Sequence, residues 1–132
     1  MADGNDPGAT VERELQQAQQ ALDDDTKARA AGLSDAAVIN RLYYAAFHAV
    51  QAVLYEREFN PTSHGAVLSL FGSEIIATDD SLREHGRFLS QLSELRKQAD
   101  YGYETVDEDL DALLSRTQEL VTAMKTLCSS SE

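Results

Sequence analysis

The sequence predicts an all-α, up-and-down antiparallel bundle of about five helices. Three observations predict it. No segment alternates apolar and polar residues with the period of two that a half-buried strand would show. Apolar residues recur instead three and four positions apart over long stretches. Short breaks rich in Gly, Pro, Asn, Asp and Ser separate those stretches. At 132 residues the chain has the size of one domain, and such a domain buries roughly two thirds of its unfolded surface.

Residues 1–9, with Gly4, Pro7 and Gly8, read as a disordered leader, residues 10–128 as the single domain, and residues 129–132 as a frayed tail. Thr10 is placed to cap a first helix that runs to about Ala31 and is stopped by Gly32. Val11, Leu15, Ala18 and Leu22 form its apolar stripe, and the three aspartates at 23–25 mark a wet face. Ser34 caps a second helix, with Asp35 in the first turn favoured by the helix dipole, and "NPTS" at 60–63 breaks it beyond about Glu58. A short third helix follows Ser63 and ends near Ile76. After "ATDD", a fourth runs from about Ser81 to Tyr101, with Phe88, Leu89, Leu92, Leu95 and Ala99 facing inward. A fifth spans about Asp107 to Leu127. Its Leu110, Leu113, Leu114, Thr117, Leu120, Val121, Met124 and Leu127 keep the seven-residue rhythm of a bundle seam. Short connections make neighbouring helices antiparallel.

Charge narrows the function. Twenty-three acidic residues face eleven basic ones, a net charge of -12, and the lysines are Lys27, Lys97 and Lys125 alone. An acid-rich, lysine-poor surface stays hydrated in molar salt, so the composition fits an extreme halophile as well as it fits an ordinary acidic protein. It excludes broad electrostatic attraction to nucleic acid, and any RNA contact has to be local, built on a few arginines. No apolar run approaches the ~20 residues of a membrane span, and the N-terminus lacks signal character, so a cytoplasmic location is expected. The single cysteine, Cys128, excludes an intrachain disulfide and a cysteine-based metal cluster. The histidines (His48, His64 and His85) show no His-x3-His or Glu-x-x-His spacing, so neither metal nor cofactor is expected. There is no phosphate-cradling glycine loop and no nucleophile elbow.

The chemistry concentrates in "RLYYAAFHAVQAVL" at 41–54. At about 100° per residue, Ile39, Leu42, Tyr43, Ala46, Phe47, Val50, Val53 and Leu54 share one arc and supply core. Arg41, Tyr44, Ala45, His48, Ala52 and Tyr55 share the opposite arc, too small-sided for core and too aromatic for plain surface. Arg41 and His48 stand two turns apart, about 10 Å along the axis. The alanines would let another backbone come close, so this arc reads as a contact surface with a polar site inside it. An arginine holds phosphate by a planar fork of donors, and a histidine moves a proton near neutral pH. A lone histidine or a Tyr-Ala stripe is more often structural, and it is the combination that points to chemistry. On spacing alone, Arg83, Arg87 and Arg96 read as partners of acids and His64 as a helix-start residue.

Together with "TSHGAV" at 62–67 and "LRKQADYGY" at 95–103, the stretch resembles the HEPN family (higher eukaryotes and prokaryotes nucleotide-binding domain), in particular a small stand-alone branch marked by R-x-YYA-x-FHA and a downstream R-x-x-ADY. The resemblance runs from about Glu12 to Leu127. It implies a helical bundle that pairs as a homodimer and acts as toxin beside a minimal nucleotidyltransferase antitoxin. Active members are metal-independent ribonucleases whose motif is an arginine, four to six residues, then a histidine. Here the motif falls on Arg41 and His48 as catalytic residues, with Tyr44, Arg96 and His64 as candidate binding residues for RNA or nucleotide. Ala45, Ala52 and Tyr55 are the expected dimer interface, bringing two motifs to one cleft. The polar residue common two positions after the arginine is Tyr43 here, and a tyrosine some toxins carry two after the histidine is Val50. The alternatives are a non-catalytic nucleotide- or substrate-binding module that docks a nucleotidyltransferase, and a plain structural dimer.

Overall fold

The structure, a computed structural model, describes residues 7–32, 34–101 and 109–129. It is an all-α bundle of five α-helices, and no strand occurs among the described residues: α1 Pro7–Ala30, α2 Asp35–Glu56, α3 His64–Leu70, α4 Arg83–Tyr101 and α5 Leu110–Ser129. Residues 1–6 of the expected leader, residues 130–132 of the expected tail and most of the turn before α5 lie outside the described residues.

The starts of α2, α3 and α5 each have a local cause. Ser34 Oγ accepts the Ala37 amide at 3.2 Å and Ser63 Oγ the Ala66 amide at 3.1 Å, the N-caps the sequence places there. Asp109 caps α5 by accepting from Asp111 and Ala112, so that helix begins at Leu110 rather than near Asp107. α1 begins at Pro7, not after a Thr10 cap. Proline's fixed φ suits a helix's first turn, where its missing N–H costs nothing. Gly32 ends that helix in the left-handed region at φ 73°, a conformation a β-carbon disfavours. α2 closes with the same geometry on a non-glycine residue. Glu58 has φ 68°, its amide donates to Tyr55 O at 3.0 Å and the Phe59 amide to Leu54 O at 2.9 Å.

The expected third helix does not run unbroken to Ile76. It opens at Phe71–Ile75 into a π turn, then a 3₁₀ turn at Ile76–Thr78. The opening buries both Phe71 and Ile75 while Gly72 and Ser73 stay exposed. α4 passes close by: a β-carbon on Gly86 would stand 2.3 Å from Ile76 Cδ1, so a side chain there would force Ile76 to move.

α2 is the axis of the bundle. It packs on α1, α5 and α4, and twelve of its 22 residues are buried, more than one face can hold. The arc expected as core is fully in the core, as are Phe88, Leu89, Leu92, Leu95 and Ala99 of α4 and Leu113, Thr117, Leu120, Val121 and Met124 of α5. Each such buried Leu or Val is worth about 1.5–3 kcal/mol over exposure.

Two expectations are corrected. Ala45 and Ala52, placed at an interface between copies, are 0% exposed within the single chain. The close-approaching backbone is α1, which has its most extensive contact with α2 and lays its own buried Ala18, Ala21 and Ala28 along that side. Tyr55, expected with them, is partly buried and its hydroxyl accepts from Gln51 Nε2. The wet face at 23–25 is also narrower than expected. Asp23 is exposed, whereas Asp25 is 0% exposed, because it lies seven residues after Ala18 on the buried stripe.

Candidate functional site

On α2, Arg41, Tyr44 and His48 lie within about 60° of one another around the axis, so their side chains stack along one side of the helix. α3 and α4 then bring two more groups to the same tyrosine. The Arg41 guanidinium carbon lies 5.3 Å from the Tyr44 ring centroid and that of Arg96 5.5 Å, both at cation–π distance. The His48 ring lies 6.1 Å away, nearly parallel, and the His64 ring 6.3 Å away, edge-on. All five candidate catalytic and binding residues thus meet around Tyr44, although they are spread over 56 positions of chain.

His48 is held by the first helix. Its Nδ1 lies 2.6 Å from Glu14 Oε2, and the two side chains are 25% and 15% exposed. A carboxylate can only accept, so Nδ1 carries the hydrogen and donates it. In the neutral ring this leaves the Nε2 lone pair free. Arg41 Nη2 donates to Asn40 Oδ1 at 2.6 Å. Arg41, Tyr44 and His48 line an open cleft of about 250 Å³, whose other wall is α1, with Gln17, Gln20 and Asp24.

His64 opens α3 and is held differently. Its Nδ1 lies 3.0 Å from the Tyr43 hydroxyl, and its ring stacks on Phe47 at 4.3 Å while its outer side is exposed. Burial of the inner side lowers its pKa below the usual histidine value, with the charges of Arg96 and His48 acting in the same direction. Tyr43 is fully buried, and burial raises its pKa above the ordinary phenol value against the opposing pull of Arg96 and Ser93. Arg96 lies over the Tyr43 ring at 5.0 Å as well as over Tyr44.

Sequence reasoning missed Glu14, the hydroxyl of Tyr43 and the platform of Phe47. Tyr43 and Phe47 were counted as core, which they are, but the Tyr43 oxygen and the Phe47 face serve the site. The available signal for Glu14 was its position one turn before buried Ala18, a carboxylate on the inward stripe of α1. Among the described residues no group of three His, Cys, Asp or Glu side chains converges as a metal site would require. Burial pushes the Cys128 thiol up to about 11, with the Glu56 charge adding to it, so it is no nucleophile at neutral pH.

A family model described as the HEPN domain matches residues 11–127. The chain is 38% identical over 64 residues to a UPF0332 protein of Thermotoga maritima, covering 48% of each chain. It is also similar to two Methanocaldococcus jannaschii proteins, each bearing the name "putative toxin". One is 35% identical over 63 residues, 48% of this chain and 43% of that protein. The other is 27% identical over 88 residues, 66% of each. The chain therefore spans about half the length of the first two relatives and about two thirds of the third.

Proposed function

The chain belongs to the HEPN domain family, and from that premise we propose that it is a toxin-type, metal-independent endoribonuclease with Arg41 and His48 as its catalytic residues. The observation that carries the reading is the 2.6 Å bond from His48 Nδ1 to Glu14. It holds the imidazole in the tautomer with Nε2 free, beside a guanidinium in the same cleft. His48 Nε2 takes the proton of an RNA 2′-hydroxyl, whose oxygen attacks the adjacent phosphorus. The bond to the 5′-oxygen breaks and that oxygen takes up a proton, leaving a 2′,3′-cyclic phosphate and a 5′-hydroxyl. Arg41 stabilises the charge that builds on the phosphate oxygens. Because the nucleophile belongs to the substrate, no metal is needed to generate one. Tyr44, Arg96 and His64 contact the RNA around the scissile phosphate, Tyr44 as a stacking surface.

Two names among the relatives support the toxin role. A minimal nucleotidyltransferase as antitoxin, a homodimer that brings two Arg-His sets together, and a cytoplasmic location in a halophile rest on the family resemblance and the composition. Pairing of two copies uses a face other than Ala45 and Ala52, which α1 occupies. No helix among the described residues is long and apolar enough to cross a membrane. The second reading, a non-catalytic module docking a nucleotidyltransferase, is favoured by Asp24. Its carboxylate lines the clefts beside Arg41 in a chain of charge -12, which opposes a polyanion.

The test is purified protein with RNA in molar KCl and EDTA. Wild type cuts, His48→Ala loses about 10²–10⁴-fold with the bundle intact, and Arg41→Lys does not fully rescue what Arg41→Ala loses, because an ammonium lacks the planar fork. Wild type that never cuts, or cutting that survives His48→Ala, would falsify the assignment in favour of the binding module.

A further inference from the structure

A cleft of about 630 Å³, more than twice the volume of the one that holds Arg41, Tyr44 and His48, opens between α1 and α2 near the turn that joins them. Its size lies in the range of roughly 300–1,000 Å³ typical of small-molecule sites. Further along the same two helices Ala21, Ala45 and Ala52 are buried. Here Ala36 and Ala37 of α2 stay partly exposed and, with Ala28 of α1, form an apolar floor. Among the described residues the polar groups around that floor are Asp24, Lys27, Asn40 and Arg41.

The hydrogen bonds already made fix what these groups have left to offer. Arg41 Nη2 lies 2.6 Å from Asn40, and since an arginine only donates, the atom that receives it is the Asn40 carbonyl oxygen. The Asn40 amide nitrogen, a donor, remains. Gln20 Nε2 donates to Asp24 Oδ1 at 3.0 Å, which leaves Oδ2 to accept from elsewhere. An acceptor facing donors across an apolar floor suits a flat ring with a polar edge. A carboxylate repels the phosphates of a strand, yet it accepts from the N–H groups of a base. Of the RNA bases, guanine carries N1–H and an N2 amine side by side, next to the O6 carbonyl. Its Watson–Crick edge thus gives hydrogens to Asp24 and takes one from Asn40. Uracil sets its single N–H between carbonyls that face a carboxylate badly. Asp24 and Arg41 line both this cleft and that of His48, so the clefts are continuous around the Arg41 side chain. A strand whose phosphate meets Arg41 has a neighbouring base within reach of Asp24.

We propose that the α1–α2 cleft is a base-specificity subsite that takes a guanine flanking the scissile phosphate, with Asp24 accepting from its N–H groups and Asn40 donating to its O6. The subsite deepens the ribonuclease reading and rests on it for the strand to which the base belongs, while the binding itself needs no cleavage. The carboxylate that counts against a phosphate site at this position becomes the group that reads the base.

The test uses the full chain and short 2′-O-methyl oligouridylates that carry G, A or C at each position in turn. Without a 2′-hydroxyl they hold no nucleophile and cannot be cut. Wild type binds the best guanine-containing strand about tenfold more tightly than the all-uridine strand, the discrimination of a bidentate contact to a base edge. Asp24→Asn removes a repelling charge and shifts every affinity, so the readout is the ratio between strands, which falls to within about twofold. Ala36→Leu fills the floor without touching a hydrogen-bonding group and lowers the ratio likewise, with the circular dichroism of the bundle unchanged. Equal binding of all strands by wild type, tighter binding of another base than guanine, or a guanine preference that survives both substitutions overturns the subsite. A wild type that cuts RNA without base preference in binding loses the subsite alone. One that never cuts but shows the Asp24-dependent preference loses the ribonuclease reading and keeps the subsite.

Discussion

Replacing Ala45 with leucine separates two meanings of an alanine stripe. If the stripe faced a second copy, the larger side chain would disturb pairing and leave the fold untouched. Ala45 is 0% exposed under α1, so the structure sets a different outcome. Three added carbons would gain about 2.4 kcal/mol if they found empty apolar space, at 0.8 kcal/mol each. Ala45 is already fully enclosed where α1 brings its own buried alanines against α2, so the added carbons have to push neighbours aside. Forcing side chains off their rotamers and helices apart costs typically about 1–3 kcal/mol net. For a domain of this length 1 kcal/mol moves the midpoint of thermal unfolding by about 3–5 °C, so the melt should fall by about 3–15 °C. Circular dichroism melts at two protein concentrations, with light scattering on the same samples, measure both effects. An unchanged midpoint together with a loss of dimer would refute the α1–α2 packing argument and restore the interface between copies.

Two further outcomes follow from other parts of the molecule. Glu14→Gln replaces a charge-assisted hydrogen bond by a neutral one, so it should cost about 1 kcal/mol in a denaturant melt and slow RNA cleavage by at least about tenfold, through loss of the carboxylate that orients His48; cleavage at the wild-type rate would sink the orienting role. With a net charge of -12, the midpoint of unfolding should rise as KCl goes from a tenth molar to molar and the Debye length shrinks from about 10 Å to about 3 Å. A flat profile argues against a halophilic design.

The parts of the fold legible in the sequence are those where hydrophobic period and caps agree. The inward residues of α4 are buried as their period says, as are Leu113, Thr117, Leu120, Val121 and Met124 of the α5 seam, while Leu110, Leu114 and Leu127 are only partly buried; Ser34 and Ser63 cap where their spacing says they should. The parts that were not legible are those where small or charged residues do the packing. Ala45 and Ala52 announce a close neighbour without naming it, since an alanine fits α1 of the same chain as well as a helix of another. Asp25 carries a charge into a buried position, which any scale of hydrophobicity reads as surface. The π turn at Phe71–Ile75 lacks a local signature, because residues four apart share a face of an ordinary α-helix as well, so the buried pair Phe71 and Ile75 reads in sequence as unbroken helix. At the site, Arg41, Tyr44, His48, His64 and Arg96 were all legible as candidates, whereas their convergence on one ring is tertiary. Glu14, 34 residues from its partner, is set by how α1 docks and not by any spacing in α2.

The bond between Glu14 and His48 also ties chemistry to time and to partial opening. The groups around Tyr44 come from α2, α3 and α4, with Glu14 of α1 behind His48, and the last of them in the chain, Arg96, leaves a ribosome only after most of the chain has been made. A nascent chain carrying α1 and α2 can form the His48–Glu14 pair but lacks the arginine that completes the surroundings of Tyr44. In the finished protein the converse holds. Any opening in which α1 leaves α2 would strip His48 of its carboxylate. Under the proposed ribonuclease reading, the docking of one helix thereby sets what share of the molecules holds His48 ready to act.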